Sequence, residues 1–212
     1  MTYHEGSNEP FFARSISGDA VTIEWRRGSE SGSLAIDYYT AGYSEDKLQQ
    51  VGTLSTCGVN ERRGAACWEE SHPTEFGWSH AVARLLIDGR SLCTAWRVGP
   101  ENHLMTNNHC VSTSGKLRNT EVWFNYQRMT CNGSLDDVVK VMGNELIKTD
   151  YTLDYSLFNV TNFDTIAQFG YLGLTDTPPV YGSGIYIPQH GAGNPKEIAI
   201  ESDKNGSGLC QI

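Results

Sequence analysis

The chain has 212 residues, of which 39% are apolar and 19% charged, and a formal net charge of -9. That length can bury one large core or two small ones. The acidic balance leaves no basic patch to neutralise phosphates, which excludes a nucleic-acid partner. No run approaches the ~18 apolar residues of a membrane-spanning helix.

The 22 glycines favour an all-β chain with many turns over a helical bundle. Six cysteines in this length point to an oxidising compartment. Their spacings are not Cys-x-x-Cys pairs, so they make a poor zinc pattern. The first residues, Met1 to Glu5, lack the pattern of a signal peptide.

Taken along the chain, Ala20 to Trp25 is rich in β-branched residues and roughly alternating, so it reads as a strand. Arg26 to Ser33 is a polar turn, and Leu34 to Tyr39 returns as a second strand. Ser44 to Arg63 is polar and mixed, as a linker would be, and Arg62-Arg63 offers a tryptic site.

From Cys67 onward the chain reads as short strands separated by turns. His80 to Ile87 leads through Asp88-Gly89 to Ser91–Val98, and Gly99 to Asn102 is a turn. Glu121 to Gln127 and Asp154 to Val160 alternate well. The expected helical stretch is short, near Asp164 to Phe169. Gly184 to Pro188 and Glu197 to Glu201 form a hairpin around Gly191 to Pro195. Strands at this spacing predict a sandwich or barrel. Trp96, Trp123, Phe124 and Tyr126 are expected in barrel core or on strand surface.

The chemistry-bearing residues are His109, beside Cys110, and Asp154, which opens an apolar strand. Cys93 and Cys110 could close a loop around His109. A serine hydroxyl becomes a nucleophile only when a neutral imidazole takes its proton, and a carboxylate must hold that imidazole in the right tautomer. His109 suits the base and Asp154 the orienting acid. His103 and His109, six apart, do not give a usual metal spacing, and His72, His80 and Asp88 show no ligand pattern.

Ser91 to Val98 followed by Leu104 to Cys110 resembles the catalytic-histidine region of secreted trypsin-like serine endopeptidases, microbial lysyl-endopeptidase-type enzymes in particular. Phe124 to Gln127 with Cys131, Leu153 to Leu157, and Tyr186 to Gly191 with Lys196 to Ile198 resemble further segments of the same enzymes, in the same order. The likeness covers about residues 54–203, and Ser17 to Tyr39 weakly resembles the end of their propeptide.

The resemblance implies an all-β, two-barrel chymotrypsin-like fold. A small β-rich pro-segment would span 1–53 and a protease domain 54–212, with a first barrel at about 78–160 and an incomplete second barrel at about 165–212. It implies catalytic roles for His109 and Asp154, hydrogen-bonded on facing edges of one cleft. It also implies disulfides Cys93–Cys110 and Cys67–Cys131, with Cys57 and Cys210 left over. No cofactor or metal is implied. The implied substrate is a polypeptide and the place of action extracellular.

The family's Gly-Asp-Ser-Gly type of nucleophile loop does not occur in these 212 residues. The resemblance therefore implies a chain ending before its serine, completed by a C-terminal fragment, with edge strands such as Glu197 to Glu201 unpaired. Gly206-Ser207-Gly208 lacks the motif's neighbours and reads as a polar turn. Cys210 is a third choice, as nucleophile of a cysteine-type hydrolase. A protease homologue without activity, binding through its barrel, is the other alternative.

Overall fold

A computed structural model of the chain describes residues 12–24, 33–42 and 60–201. In chain order its elements are β1 (Arg63–Gly64), α1 (Pro73–Ser79), β2 (Val82–Ile87), β3 (Ser91–Arg97), β4 (Leu104–Thr106), α2 (Ser114–Arg118), β5 (Thr120–Phe124), β6 (Val139–Asp150), β7 (Tyr155–Val160), β8 (Ile187–Gln189) and β9 (Glu197–Ala199).

Strands β2-β3-β4-β7-β6-β5 close into an antiparallel barrel. Period-two alternation fills it: Leu85 and Ile87 from β2, Val122 and Phe124 from β5, and Phe158 and Val160 from β7 all point inward and are buried. Closure leaves no exposed sheet edge in this unit. The β2–β3 turn is tight because Asp88 and Gly89 both take positive φ, 49° and 66°, and Arg90 N–H donates to the Ile87 carbonyl at 3.0 Å. β5 stops at Asn125, whose left-handed φ of 58° ends the ladder.

A second, three-stranded sheet has the order β1-β9-β8. Ile198 pairs with Arg63 on one side and Pro188 on the other. The mostly β architecture, with one closed barrel and a second sheet, is that of a chymotrypsin-like fold. β9 is therefore a central strand, contrary to the expected unpaired edge at Glu197 to Glu201. A segment from ahead of the barrel supplies the partner strand, a long-range pairing that local pattern does not show.

The same pairing bears on the tryptic site. Arg63 lies in a ladder, and the Arg62 guanidinium sits 3.8 Å from the Glu197 carboxylate. Neither residue is a free loop tip.

Four further readings change. Ala20 to Glu24 and Leu34 to Tyr39 are not in strands, and Val21, Ile23, Leu34 and Ile36 are exposed. Among the described residues neither segment has a ladder partner, and alternation without a partner makes no strand. Trp25 lies outside the described residues. β6 was not anticipated because most of its positions are polar or only partly covered and two register shifts interrupt it. Helix α1 was missed as well, although Pro73 stands at its start, where a missing N–H costs nothing. The expected helical stretch at Asp164 to Phe169 is two 3-10 turns, Phe163–Thr165 and Ala167–Phe169. Their carbonyls are held by the buried Arg97, which donates to Ala167 at 2.8 Å and Gly170 at 2.6 Å.

Where the second sheet meets the barrel, two basic side chains are buried almost completely. Lys196 Nζ has Gln127 Oε1 at 3.3 Å, and the Nε2 of His190 has no hydrogen-bond partner among the described residues. Burial lowers the Lys196 amine to about 7; burial, then the nearby Lys196 charge, lowers His190 to about 3. His80 and Arg84 face the same region and add no negative charge. In both cases the unfolded chain takes up its proton at higher pH than the folded one. Stability is therefore expected to rise with pH from about 3 to 6.5 through His190, and again from about 7 to 10.5 through Lys196. Thermal melts across pH check this; Lys196→Met is expected to remove the upper rise.

Candidate active site

The register Thr106↔Ser156 joins the C-terminal end of β4 to the N-terminal end of β7. Antiparallel pairing thus places residues 107–110, just past β4, beside residue 154, just before β7. The two site residues sit on adjacent strand ends at one mouth of the barrel, where facing edges of a cleft had been expected.

His109 Nδ1 lies 2.7 Å from Asp154 Oδ2. The His109 backbone N–H donates to Asp154 Oδ1 at 2.9 Å. Asn107 Nδ2 donates to Asp154 Oδ2 at 3.1 Å and to its backbone carbonyl at 3.2 Å. Both carboxylate oxygens are therefore engaged. The His109 backbone N–H, then its ring, hold the Asp154 carboxyl below its ordinary range. The stability this adds is present above the ordinary carboxylate range and is lost as pH falls through the lowered value.

An ionised Asp154 accepts the proton on Nδ1, so His109 carries its lone pair on Nε2. That nitrogen has no partner among the described residues, and the His109 side chain is 69% exposed. The Asp154 side chain is 43% exposed. It owes its position to three donors, not to burial.

The loop is fixed from below. Cys110 N–H and Val111 N–H both donate to the Asn107 carbonyl, making a single turn. Asn108 Nδ2 reaches down to Thr149 Oγ1 at 2.7 Å. Thr149 in turn meets Ser156 Oγ at 2.7 Å, and Ser156 donates to the Val111 carbonyl at 2.6 Å. Asn108 and Ser156 are buried, so these bonds are shielded from water. Asp154 itself has a φ of 51°, a left-handed conformation that aspartate tolerates better than most residues. Asn107, Asn108, Thr149 and Ser156 were not assigned a role from sequence. Only the run of polar residues just ahead of His109 hinted at two of them.

The Cys93–Cys110 and Cys67–Cys131 disulfides are both formed. The first ties the His109 loop to β3. The two sulfurs and the His109 ring lie within 4.8 Å of one another, but the sulfurs are bonded together and offer no thiolate to a metal. Opening this bridge, which closes 17 residues, is expected to cost about 3 kcal/mol in the chain-entropy account. Urea unfolding of Cys93→Ala/Cys110→Ala measures it. Of the other candidates, His103 pairs with Glu101 at 3.6 Å on a surface turn, while Cys57, Ser207 and Cys210 lie outside the described residues.

A secreted RxLR effector protein of Plasmopara viticola is 36% identical over 95% of the chain, which spans 54% of that protein. The crystal structure of the Rv3671c protease in an inactive form is 15% identical with a TM-score of 0.41, covering 57% of this chain and 50% of that one. The family model for the trypsin-like peptidase domain matches residues 93–209, more than half of the chain and inclusive of both His109 and Asp154. The chain belongs to the trypsin-like peptidase domain family.

Proposed function

We propose that this chain is the histidine- and aspartate-bearing part of a serine endopeptidase of the lysyl-endopeptidase type, acting on polypeptides through an acyl-enzyme. One observation carries the reading: the 2.7 Å contact between His109 Nδ1 and Asp154 Oδ2, with Nε2 left open. In this reading His109 takes the proton of a serine hydroxyl as that oxygen attacks the peptide carbonyl. It then gives the proton to the departing amine. Asp154 holds the tautomer and stabilises the imidazolium.

The nucleophile loop is absent from these 212 residues, so serine and oxyanion donors come from a further segment that completes the second barrel. The chain spans about half of its curated relative, which leaves room for such a segment in a longer protein of this kind. The word "secreted" in that relative's name, together with two disulfides, supports an extracellular place of action. The test is a peptidase assay of the chain joined by a second-barrel polypeptide bearing a Gly-x-Ser-Gly loop. Activity that survives His109→Ala refutes the role assigned to His109.

A further inference from the structure

Alternation along β5 sends Val122 and Phe124 into the barrel, so Glu121 and Trp123 point outward. An outward carboxylate belongs in water, yet Glu121 is only 1% exposed. Its cover is the N-terminal segment. Ser15 N–H donates to Glu121 Oε1 at 2.6 Å, and Ser15 Oγ donates to Oε2 at 2.8 Å. Trp123 Nε1 donates to the same Oε2 at 2.8 Å.

The surround is built to match. Lys140 Nζ donates to Ser15 Oγ at 2.9 Å and to its carbonyl at 3.3 Å, and Arg14 donates to the Lys140 carbonyl at 3.3 Å. The Trp123 ring is held between Arg84, at 4.4 Å, and Lys140, at 4.0 Å. Three residues before Ser15, the Phe12 ring lies over the β2–β3 turn, where a Cβ on Gly89 would fall 2.3 Å from it. The Phe12 ring also meets Tyr38, which Arg90 covers at 5.0 Å. In barrel order β5, at the centre of this wall, is separated from β7 by β6 on one side and from β4 by β2 and β3 on the other.

We propose that this outer wall is a docking site for an extended peptide carrying an aromatic residue three positions before a serine or threonine, and that residues 12–15 fill it in cis. The site reads two features: a flat ring against a turn that lacks a Cβ, and paired N–H and O–H donors against a buried carboxylate. A buried carboxylate without donors is costly, so an occupant must supply both. The inference is independent of the roles of His109 and Asp154.

The experiment uses the full chain. Phe12→Ala/Ser15→Asp removes the ring and sets a second carboxylate against Glu121, which opens the site. A fluorescein-labelled peptide of residues 12–24 is then titrated by anisotropy against wild type and variant. Because the cis segment competes at high effective concentration, the peptide is expected to bind the variant at least tenfold more tightly than wild type. Adding Glu121→Gln to the variant is expected to weaken that binding at least tenfold, and hydrogen exchange over residues 12–24 is expected to quicken in the double variant alone. Equal binding to wild type and variant, or binding to neither, overturns the proposal. If circular dichroism shows the double variant unfolded, Ser15→Ala replaces it, with a severalfold gain in peptide affinity expected and no gain counting against the site.

Discussion

The 212-residue chain, purified alone, is expected to hydrolyse peptide substrates no faster than a His109→Ala control. A general base accelerates nothing without a hydroxyl to deprotonate. The family loop that carries the serine also carries the backbone N–H groups that stabilise the oxyanion, and neither is encoded in these residues. Losing a single oxyanion donor typically costs about 10²–10³ in turnover, and losing the nucleophile removes the acyl-enzyme route entirely. Adding a polypeptide that completes the second barrel and brings a Gly-x-Ser-Gly loop is expected to raise turnover by at least that factor. Among the described residues the edges left for pairing are β1 and β8, since β9 is already flanked on both sides. Robust turnover by the chain alone, lost in His109→Ala, would show that a nucleophile is already present. Ser207 and Cys210 would then be the residues to mutate next.

In the completed enzyme, Asp154→Asn is expected to lower kcat by about 10⁴ with little change in KM. The reason lies in how the carboxylate is shared. Asp154 Oδ1 serves the His109 backbone N–H, and Oδ2 serves its ring. An amide has only one acceptor oxygen. The backbone donor is fixed by the loop and claims that oxygen, so the amide nitrogen turns toward Nδ1. A donor facing Nδ1 forces the imidazole proton onto Nε2, and the base is lost while the fold is kept. Nitrogen NMR of His109 reads this directly in the chain as it stands. Protonation is expected on Nδ1 in wild type and on Nε2 in Asp154→Asn, and the same tautomer in both would sink the argument.

Much of the barrel was legible because its strands obey a local rule. β5 and β7 alternate along their length, and the Asp88-Gly89 turn between β2 and β3 has the residue pair that a tight hairpin requires. β6 escaped because its bulges break the period and much of its length is solvent-facing. The strands expected at 20–25 and 34–39 show the opposite failure. Their composition suits a sheet, but among the described residues no neighbouring strand accepts their hydrogen bonds.

For the site, the amino-acid sequence by itself determined which residues are of the chemical type to act: an imidazole next to a cysteine, and a carboxylate at the head of an apolar strand. Through family resemblance it also indicated the two disulfides. Only the tertiary structure decided how these groups are held. The Thr106↔Ser156 register brings residues 45 positions apart within hydrogen-bond distance. The Asn108–Thr149–Ser156 chain draws on three separate segments, so no local pattern could announce it. The burial of Glu121 likewise depends on Ser15, 106 positions away. Local sequence encodes which face a side chain takes and what chemistry it carries. Partners across the fold arise from strand register and loop closure, and those are settled only when the whole chain packs.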